Sequence, residues 1–280
     1  MGFQNIKLFD DPTNGLINLR FIRDLMALVE YSDLTDNEKE QFFNLLILTG
    51  KKLAMVWGHL NSYKRYEEQL INNAQQTVIK KQDHIISFEP SQELFFEFDE
   101  FLIQVKSCLD YLVKFPAITL GTQRWTLRTF GDKGNDVIKA LENNLPKDKE
   151  KIALGIIHFL KKHQPWLDGT ITARDKINHF IDGGVDFKNF IVINFEGTIK
   201  TPMWSPEQKI RDFMITIWTN IFYLCEDFVA TSIFLRFNNN YVLFHGSSNL
   251  DLKKSPWQVT TKERMQIIVK QPGWEVLQEN

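Results

Sequence analysis

Leu19, Ile22, Leu25, Met26 and Val29 recur at three- and four-residue spacing, so the chain from about Leu16 to Tyr31 presents one apolar face and reads as a helix. A second helix is predicted to open at Thr35-Asp36-Asn37-Glu38, where a threonine followed three positions later by glutamate makes a capping box. Its apolar stripe runs through Phe42, Leu45, Leu46, Leu53, Val56, Trp57, Leu60 and Tyr63 and continues weakly to Val78, with Thr49 as its one polar member. Gly50 and Gly58 cost helix stability there and are candidate bend points. Asp83 to Pro90 breaks the pattern and reads as a linker carrying one short strand. Leu94, Phe98, Phe101, Val105, Cys108 and Leu112 restore it as a long amphipathic helix ending near Pro116, with Glu93, Glu97, Glu100, Gln104 and Ser107 on the opposite face.

A looser stretch with Gly121, Arg124 and Arg128 precedes short helices expected over 134–144 and 149–163. Pro165 and Gly169 predict a turn, and a further helix is expected from about Thr172 to Asp182, stopped by Gly183-Gly184. Residues 187–203 alternate instead, with Glu196-Gly197 as the turn of a small hairpin. Ser205-Pro206-Glu207-Gln208 combines an N-cap serine, proline at the first helical position and glutamine at the third, predicting a helix that runs to about Arg236. Tyr241 to Phe244 suggests one more short strand, and Trp257 and Trp274 suggest that the tail packs. The pattern predicts a mainly α bundle with a small inserted β-hairpin, its broad apolar faces meeting in one core. It divides the chain into an N-terminal helical region over 1–90, a helical bundle over 91–236 and a C-terminal extension over 237–280.

Composition narrows the class. The 280 residues are 43% apolar and 24% charged, and 23 phenylalanines imply large buried helical faces. With 33 basic against 35 acidic residues, no global polycation marks a nucleic-acid coat protein. Cys108 and Cys225 lie far apart inside apolar patterns, which argues against a disulfide framework, and no C-x-x-C occurs. The start, MGFQNIKLFDD, has no apolar segment of the secretory kind, and Ile6 stands where a myristoylation signal wants serine or threonine. Phe213 to Leu235 is apolar enough to suggest a membrane, but it carries Glu226 and Asp227. Thr216, Asn220, Tyr223, Asp227 and Thr231 also line up as one polar stripe, the pattern of a soluble bundle. No membrane association is expected, and the location expected is cytoplasmic.

Searches for a P-loop, G-x-S-x-G, H-E-x-x-H and an EF-hand loop all fail. His158 and His163 lie about 140° apart around a helix and make a poor metal pair, and Arg124 with Arg128 reads as a solvated face rather than a phosphate grip. One segment concentrates chemistry: Thr172-Ala173-Arg174-Asp175-Lys176-Ile177-Asn178-His179-Phe180. With Thr172 as N-cap, Arg174 falls in the first helical turn, beside free backbone N–H groups and the positive end of the helix dipole, a combination that attracts phosphate. Asp175 and His179 share a face, so the carboxylate is placed to orient the imidazole and favour its protonated form; Arg174 and Asn178 form a second such pair. Ile177, Phe180 and Ile181 supply the buried face. A surface helix laced with Arg–Asp and Asp–His contacts would show the same residues.

Arg174, four residues, then His179, set between two long amphipathic helices, resembles the HEPN superfamily, whose ribonuclease motif is arginine, four to six residues, then histidine. The residue after the arginine is commonly Asn, Asp or His there, and here it is Asp175. The run Phe95-Phe96-Glu97-Phe98-Asp99-Glu100-Phe101-Leu102 through Cys108-Leu109-Asp110 is similar to the first long helix of bacterial HEPN-like proteins, and the helix after Ser205 to the last. The resemblance covers about 91–236; the hairpin at 187–203 departs from the minimal four-helix pattern. It implies an antiparallel HEPN-like bundle and a metal-independent endoribonuclease. His179 would serve as general base or acid, Arg174 would stabilise charge on phosphorus, and Asp175 and Asn178 would support them. It further implies no cofactor, an RNA substrate, a two-fold homodimer whose Arg/His helices share a cleft, and a role in toxin–antitoxin or antiviral defence with an antitoxin or regulatory partner. The segment 91–236 holds 18 basic and 19 acidic residues, so affinity for RNA would depend on a local patch. A non-catalytic HEPN-like scaffold, or a regulatory protein enclosing a small molecule under its Phe-rich helices, is the alternative.

Overall fold

Thr35 and Glu38 form the reciprocal cap that the sequence suggests: Glu38 N–H donates to Thr35 Oγ1 at 3.3 Å and Thr35 N–H donates to Glu38 Oε2 at 2.8 Å. The helix they open continues to Lys81 in the computed structural model. The structure describes residues 10–81, 86–88, 92–121, 125–131, 134–144, 150–179, 191–193, 199–205, 208–238, 240–245 and 254–261. In chain order the helices are α1 (Leu25–Leu28), α2 (Asp36–Lys81), α3 (Gln92–Leu112), α4 (Phe115–Leu120), α5 (Asn135–Asn144), α6 (Glu150–His179) and α7 (Ile210–Phe234). The strands are β1 (Ile86–Phe88), β2 (Ile191–Ile193), β3 (Ile199–Lys200), β4 (Met203–Ser205), β5 (Gln208–Lys209), β6 (Tyr241–His245) and β7 (Trp257–Thr261). The protein is mainly α with small antiparallel sheets. The predicted stop at Gly183-Gly184, the Glu196-Gly197 turn, the residues 1–9, Arg124, Phe180, Ile181 and Trp274 lie outside the described residues.

The chain divides into two compact units, each assembled from separated stretches, and none of their boundaries falls at 90 or 236. The first comprises Met1–Ala54, Ser107–Pro165 and Phe222–Asn280; the second comprises Met55–Lys106 and Trp166–Ile221. Because α2, α3, α6 and α7 each cross a boundary, each contributes one part to either unit. Buried apolar residues occur in both units.

In the first unit, Ile17, Phe21, Leu46, Leu109, Leu141 and Phe228 are fully buried. Edge-to-face contact of Phe42 with Phe115, 4.9 Å between centroids, explains part of the heavy use of phenylalanine. Its first helical segment is a nine-residue π-helix, Leu16–Asp24, that runs directly into α1. Asp11 Oδ2 accepts from the N–H groups of Ile17 (3.0 Å) and Asn18 (2.8 Å) at its start. The expected strand at Tyr241–Phe244 is present as β6, and it pairs antiparallel with β7, which holds Trp257.

In the second unit, Val56, Leu60, Phe98, Phe101, Ala173 and Met214 are fully buried. Trp204 stacks on Phe213 at 5.0 Å and Trp57 meets Trp218 at 5.1 Å. The hairpin expected over 187–203 is present as β2 and β3, but β1 joins it to make a three-stranded antiparallel sheet.

Three local expectations are overturned. Pro165 and Gly169 do not separate two helices: α6 is continuous from Glu150 to His179. A proline removes one N–H and crowds one carbonyl, a local cost that the burial of Leu160 on one side and Leu167 on the other offsets. Thr172 is consequently no N-cap but an interior residue of α6. Ser205 starts no helix either; Met203–Ser205 pairs with Gln208–Lys209, and α7 begins only at Ile210, whose N–H donates to Pro202 O at 3.0 Å. Serine-proline is no exclusive mark of a helix start, and the pairing of Met203–Ser205 with Gln208–Lys209 makes Ser205 the end of a strand. Pro206 and Glu207 themselves are outside the described residues.

The helix α7 is long and apolar enough to cross a membrane, and 67% of its most apolar window is buried inside the protein.

Candidate functional site

Arg174 lies in the last two turns of α6 as described, twenty-odd residues from the start of that helix. The first-turn setting expected for it is therefore absent, and no open N–H groups of a helix start lie beside it to attract phosphate. Any grip on an anion must come from side chains.

Those side chains are partly assembled. Arg174 Nη1 donates to Asp175 Oδ1 at 2.8 Å, with about a third of each side chain exposed. Ala173 and Ile177 face the interior and anchor this part of the helix. Arg174 Nε is buried and has no hydrogen-bond partner. Asp175, expected to position His179 or Arg174, is engaged by Arg174. Asn178 and His179 belong to α6 by their backbone, and their side chains lie outside the described residues, as does that of Lys176.

One residue the sequence reading passed over, Asp99, feels the charge of Arg174. Asp99, on α3 in the same unit, has a buried Oδ1 without a hydrogen-bond partner. Burial raises its carboxyl above the usual aspartate range, the neighbouring charge of Glu100 adds to this, and Arg174 pulls it back. Its signal in the sequence is faint: Asp99 follows Phe98 at the edge of the apolar stripe, off the line of Glu93, Glu97 and Glu100.

Elsewhere the polar groups serve the fold. In the first unit, the Arg20 guanidinium donates to both Glu226 oxygens, at 2.8 and 2.5 Å, with Glu226 fully buried. Trp257 Nε1 donates to Asp227 Oδ1 at 2.9 Å, and Asp24 Oδ2 accepts from Ser255 N–H at 2.9 Å. An open groove of about 520 Å³ lies there, lined by residues that include Arg23, Asp24, Tyr31, Lys254 and Trp257 rather than by the Phe-rich helices. In the second unit, Glu67 takes a long contact of 3.4 Å from Arg211, and His59 meets Glu97 at 2.7 Å. Of the two histidines in α6 outside the motif, His158 is exposed and His163 is half-buried, its pKa lowered by burial and then by Lys162. No group of three or more His, Cys, Asp or Glu is placed to hold a metal ion among the described residues.

Compared with family models, curated proteins and solved structures, the chain matches none.

Proposed function

We propose that this protein is a metal-independent endoribonuclease of the HEPN type, acting through Arg174 and His179. The observation that carries the reading is the Arg-x4-His spacing within a long helix in a mainly helical protein. The arginine there is partly exposed and held by the acidic residue that follows it. In the reaction, His179 takes the proton from a ribose 2′-hydroxyl as O2′ attacks the adjacent phosphorus. The O2′–P bond forms, the P–O5′ bond breaks, and the departing 5′-oxygen takes up a proton. Arg174 stabilises the charge that develops on the phosphoryl oxygens. The products are a 2′,3′-cyclic phosphate and a 5′-hydroxyl, and the attack needs only acid–base help and charge stabilisation. Asp175 supports Arg174, and Asn178 lies one helical turn beyond it. The expected biology is that of a cytoplasmic toxin or antiviral defence component, active as a homodimer and restrained by an antitoxin or regulatory partner.

The test is incubation of purified protein with RNA in EDTA. Wild type is expected to cleave and leave cyclic phosphate ends, and His179→Ala to lose about 10²–10⁴ in rate, the usual contribution of a positioned acid or base. Arg174→Lys is expected to be damaging as well, because an ammonium lacks the planar two-pronged phosphate grip. Equal cleavage by wild type, His179→Ala and Arg174→Ala would assign the activity elsewhere. The non-catalytic scaffold reading draws on the engagement of Arg174 by Asp175; a wild type that cuts no RNA favours it.

A further inference from the structure

Arg23, Ala27 and Tyr31 recur every four residues from the π-helical segment through α1, so they share one face, and all three are exposed. The alanine between two large side chains leaves a notch. This face is one wall of the open groove of about 520 Å³ in the first unit, and residues from Lys254 to Val259 supply the other. Small-molecule sites enclose roughly 300–1,000 Å³, so the groove is of a size to take one such ligand.

Its walls are fixed before anything binds. Asp24 on the first wall accepts from Ser255 N–H on the second at 2.9 Å. Trp257 donates its indole N–H to Asp227 at 2.9 Å, and its ring meets Phe159 and His245 edge-on. Tyr31 meets Tyr241 edge-on at 5.1 Å. Rings held in this way lose little freedom when a ligand arrives.

The polar groups of the groove are unequally spent. Both Asp24 oxygens are engaged: Oδ1 by Arg23 Nε and Nη2 at 3.0 and 2.8 Å, Oδ2 by the Ser255 N–H. Arg23 keeps Nη1 and its two N–H groups, and 43% of its side chain is exposed. Lys254 brings a second cation. Two cations thus stand against one carboxylate whose acceptors are used. Around them Ala27, Leu28 and Val259 join the two aromatic rings as apolar lining.

We propose that this groove is a binding site for a small amphiphilic anion. Its flat apolar body lies in the Ala27 notch against Tyr31 and Trp257, and its carboxylate or phosphate group is received by Arg23 and Lys254. A neutral ligand would leave the Nη1 donors of Arg23 unused, and a cation would be repelled. Asp24 serves here as the tie between the walls and the brace of Arg23, not as a ligand contact. The site belongs to the first unit and Arg174 to the second, and the inference does not rest on the ribonuclease reading.

The experiment titrates the full-length protein with naphthoate, naphthyl phosphate and the uncharged naphthalenemethanol. It follows the Trp257 indole N–H by ¹H–¹⁵N NMR, assigned by its loss in Trp257→Phe. Both anions are expected to move that resonance with a Kd on the order of 1 mM or tighter. The tighter of the two identifies the acidic group the site prefers. The alcohol is expected to bind about tenfold more weakly, the usual worth of a charge-assisted hydrogen bond. Arg23→Gln is expected to weaken both anions about tenfold and to leave the alcohol unchanged. Ala27→Phe fills the notch and is expected to abolish binding of all three probes. Both positions are exposed, so neither substitution disturbs the core, and an unchanged melting curve checks this. A Trp257 resonance that no probe moves at about 10 mM, well above the affinity expected, overturns the proposal. So does an alcohol that binds as tightly as the anions, or anion binding that survives both Arg23→Gln and Ala27→Phe.

Discussion

Arg20 and Glu226 are a guanidinium and a carboxylate taken out of water together, with 6% and 0% of their side chains exposed. Their two hydrogen bonds offset the desolvation of both ions, and neither residue tolerates the loss of the other. Arg20→Ala is expected to cost about 3–5 kcal/mol in urea unfolding, because the buried Glu226 would lose its guanidinium partner. The double replacement Arg20→Met with Glu226→Leu should recover at least half of that loss, and a double variant no better than Arg20→Ala would contradict the account. Beside this pair, burial pushes the Asp227 carboxyl up to about 7, with Glu226 adding to the shift and the Trp257 indole N–H opposing it. An unfolded aspartate titrates near 3.9. As pH rises from about 4 to about 7, the unfolded chain gives up a proton that the folded chain keeps, so this residue's contribution to stability falls across that window and is constant above it. Asp227→Asn still accepts from Trp257. Its Tm is expected to exceed that of wild type by about 3 °C or more at pH 8 and by almost nothing at pH 4.5. The same difference at both values would show that the charge is not the cause.

At the scale of the element, α2 offers a contrast within one helix. A Cβ on Gly50 would lie 2.8 Å from Ile22 Cδ1 and 3.2 Å from Ile17 Cγ2, whereas one on Gly58 would meet nothing within 4 Å. Gly50 is there so that the π-helical segment can approach α2. Gly50→Ala is therefore expected to cost about 1–2 kcal/mol, because overpacking exceeds the gain in helix propensity. Gly58→Ala should gain about 0.5–1 kcal/mol from propensity alone. Thermal melts of the two variants shifting in opposite directions is the check. Both glycines suggested a bend from sequence, yet only the packing distinguishes them. Thr49 makes the same point from the polar side. It interrupts the apolar stripe, but it is fully buried because its hydroxyl donates to Leu45 O at 2.9 Å within the helix.

At the scale of the molecule, the proposed function requires two copies of Arg174 and His179 around a shared cleft, since about 140° of helical rotation separates the two positions on one chain. Static light scattering at micromolar concentration is expected to give twice the chain mass of 32.9 kDa. A monomer that cleaves RNA at the wild-type rate would remove the dimer from the mechanism. The discontinuous make-up of both units explains why the sequence divided differently. A boundary at 90 follows a break in periodicity, whereas the compact units follow which stretches of α2, α3, α6 and α7 bury their faces together.

What could be read from sequence alone is what is decided within a few residues. The Thr35–Glu38 cap, the amphipathic stripe from Leu94 to Leu112 and the alternating pattern read over 187–203 all depend on neighbours one turn or one strand step away. The nearness of Arg174 to Asp175 is of the same kind. Tertiary structure decided the rest, because there local signals were equivocal or too weak. Pro165 would end an isolated helix, but buried residues on both sides carry α6 through it. Ser205 suits a helix start or a strand end, and pairing of Met203–Ser205 with Gln208–Lys209 made it a strand end. Asp99 feels the charge of Arg174 although the two lie far apart in the sequence, and no spacing rule connects positions on separate helices.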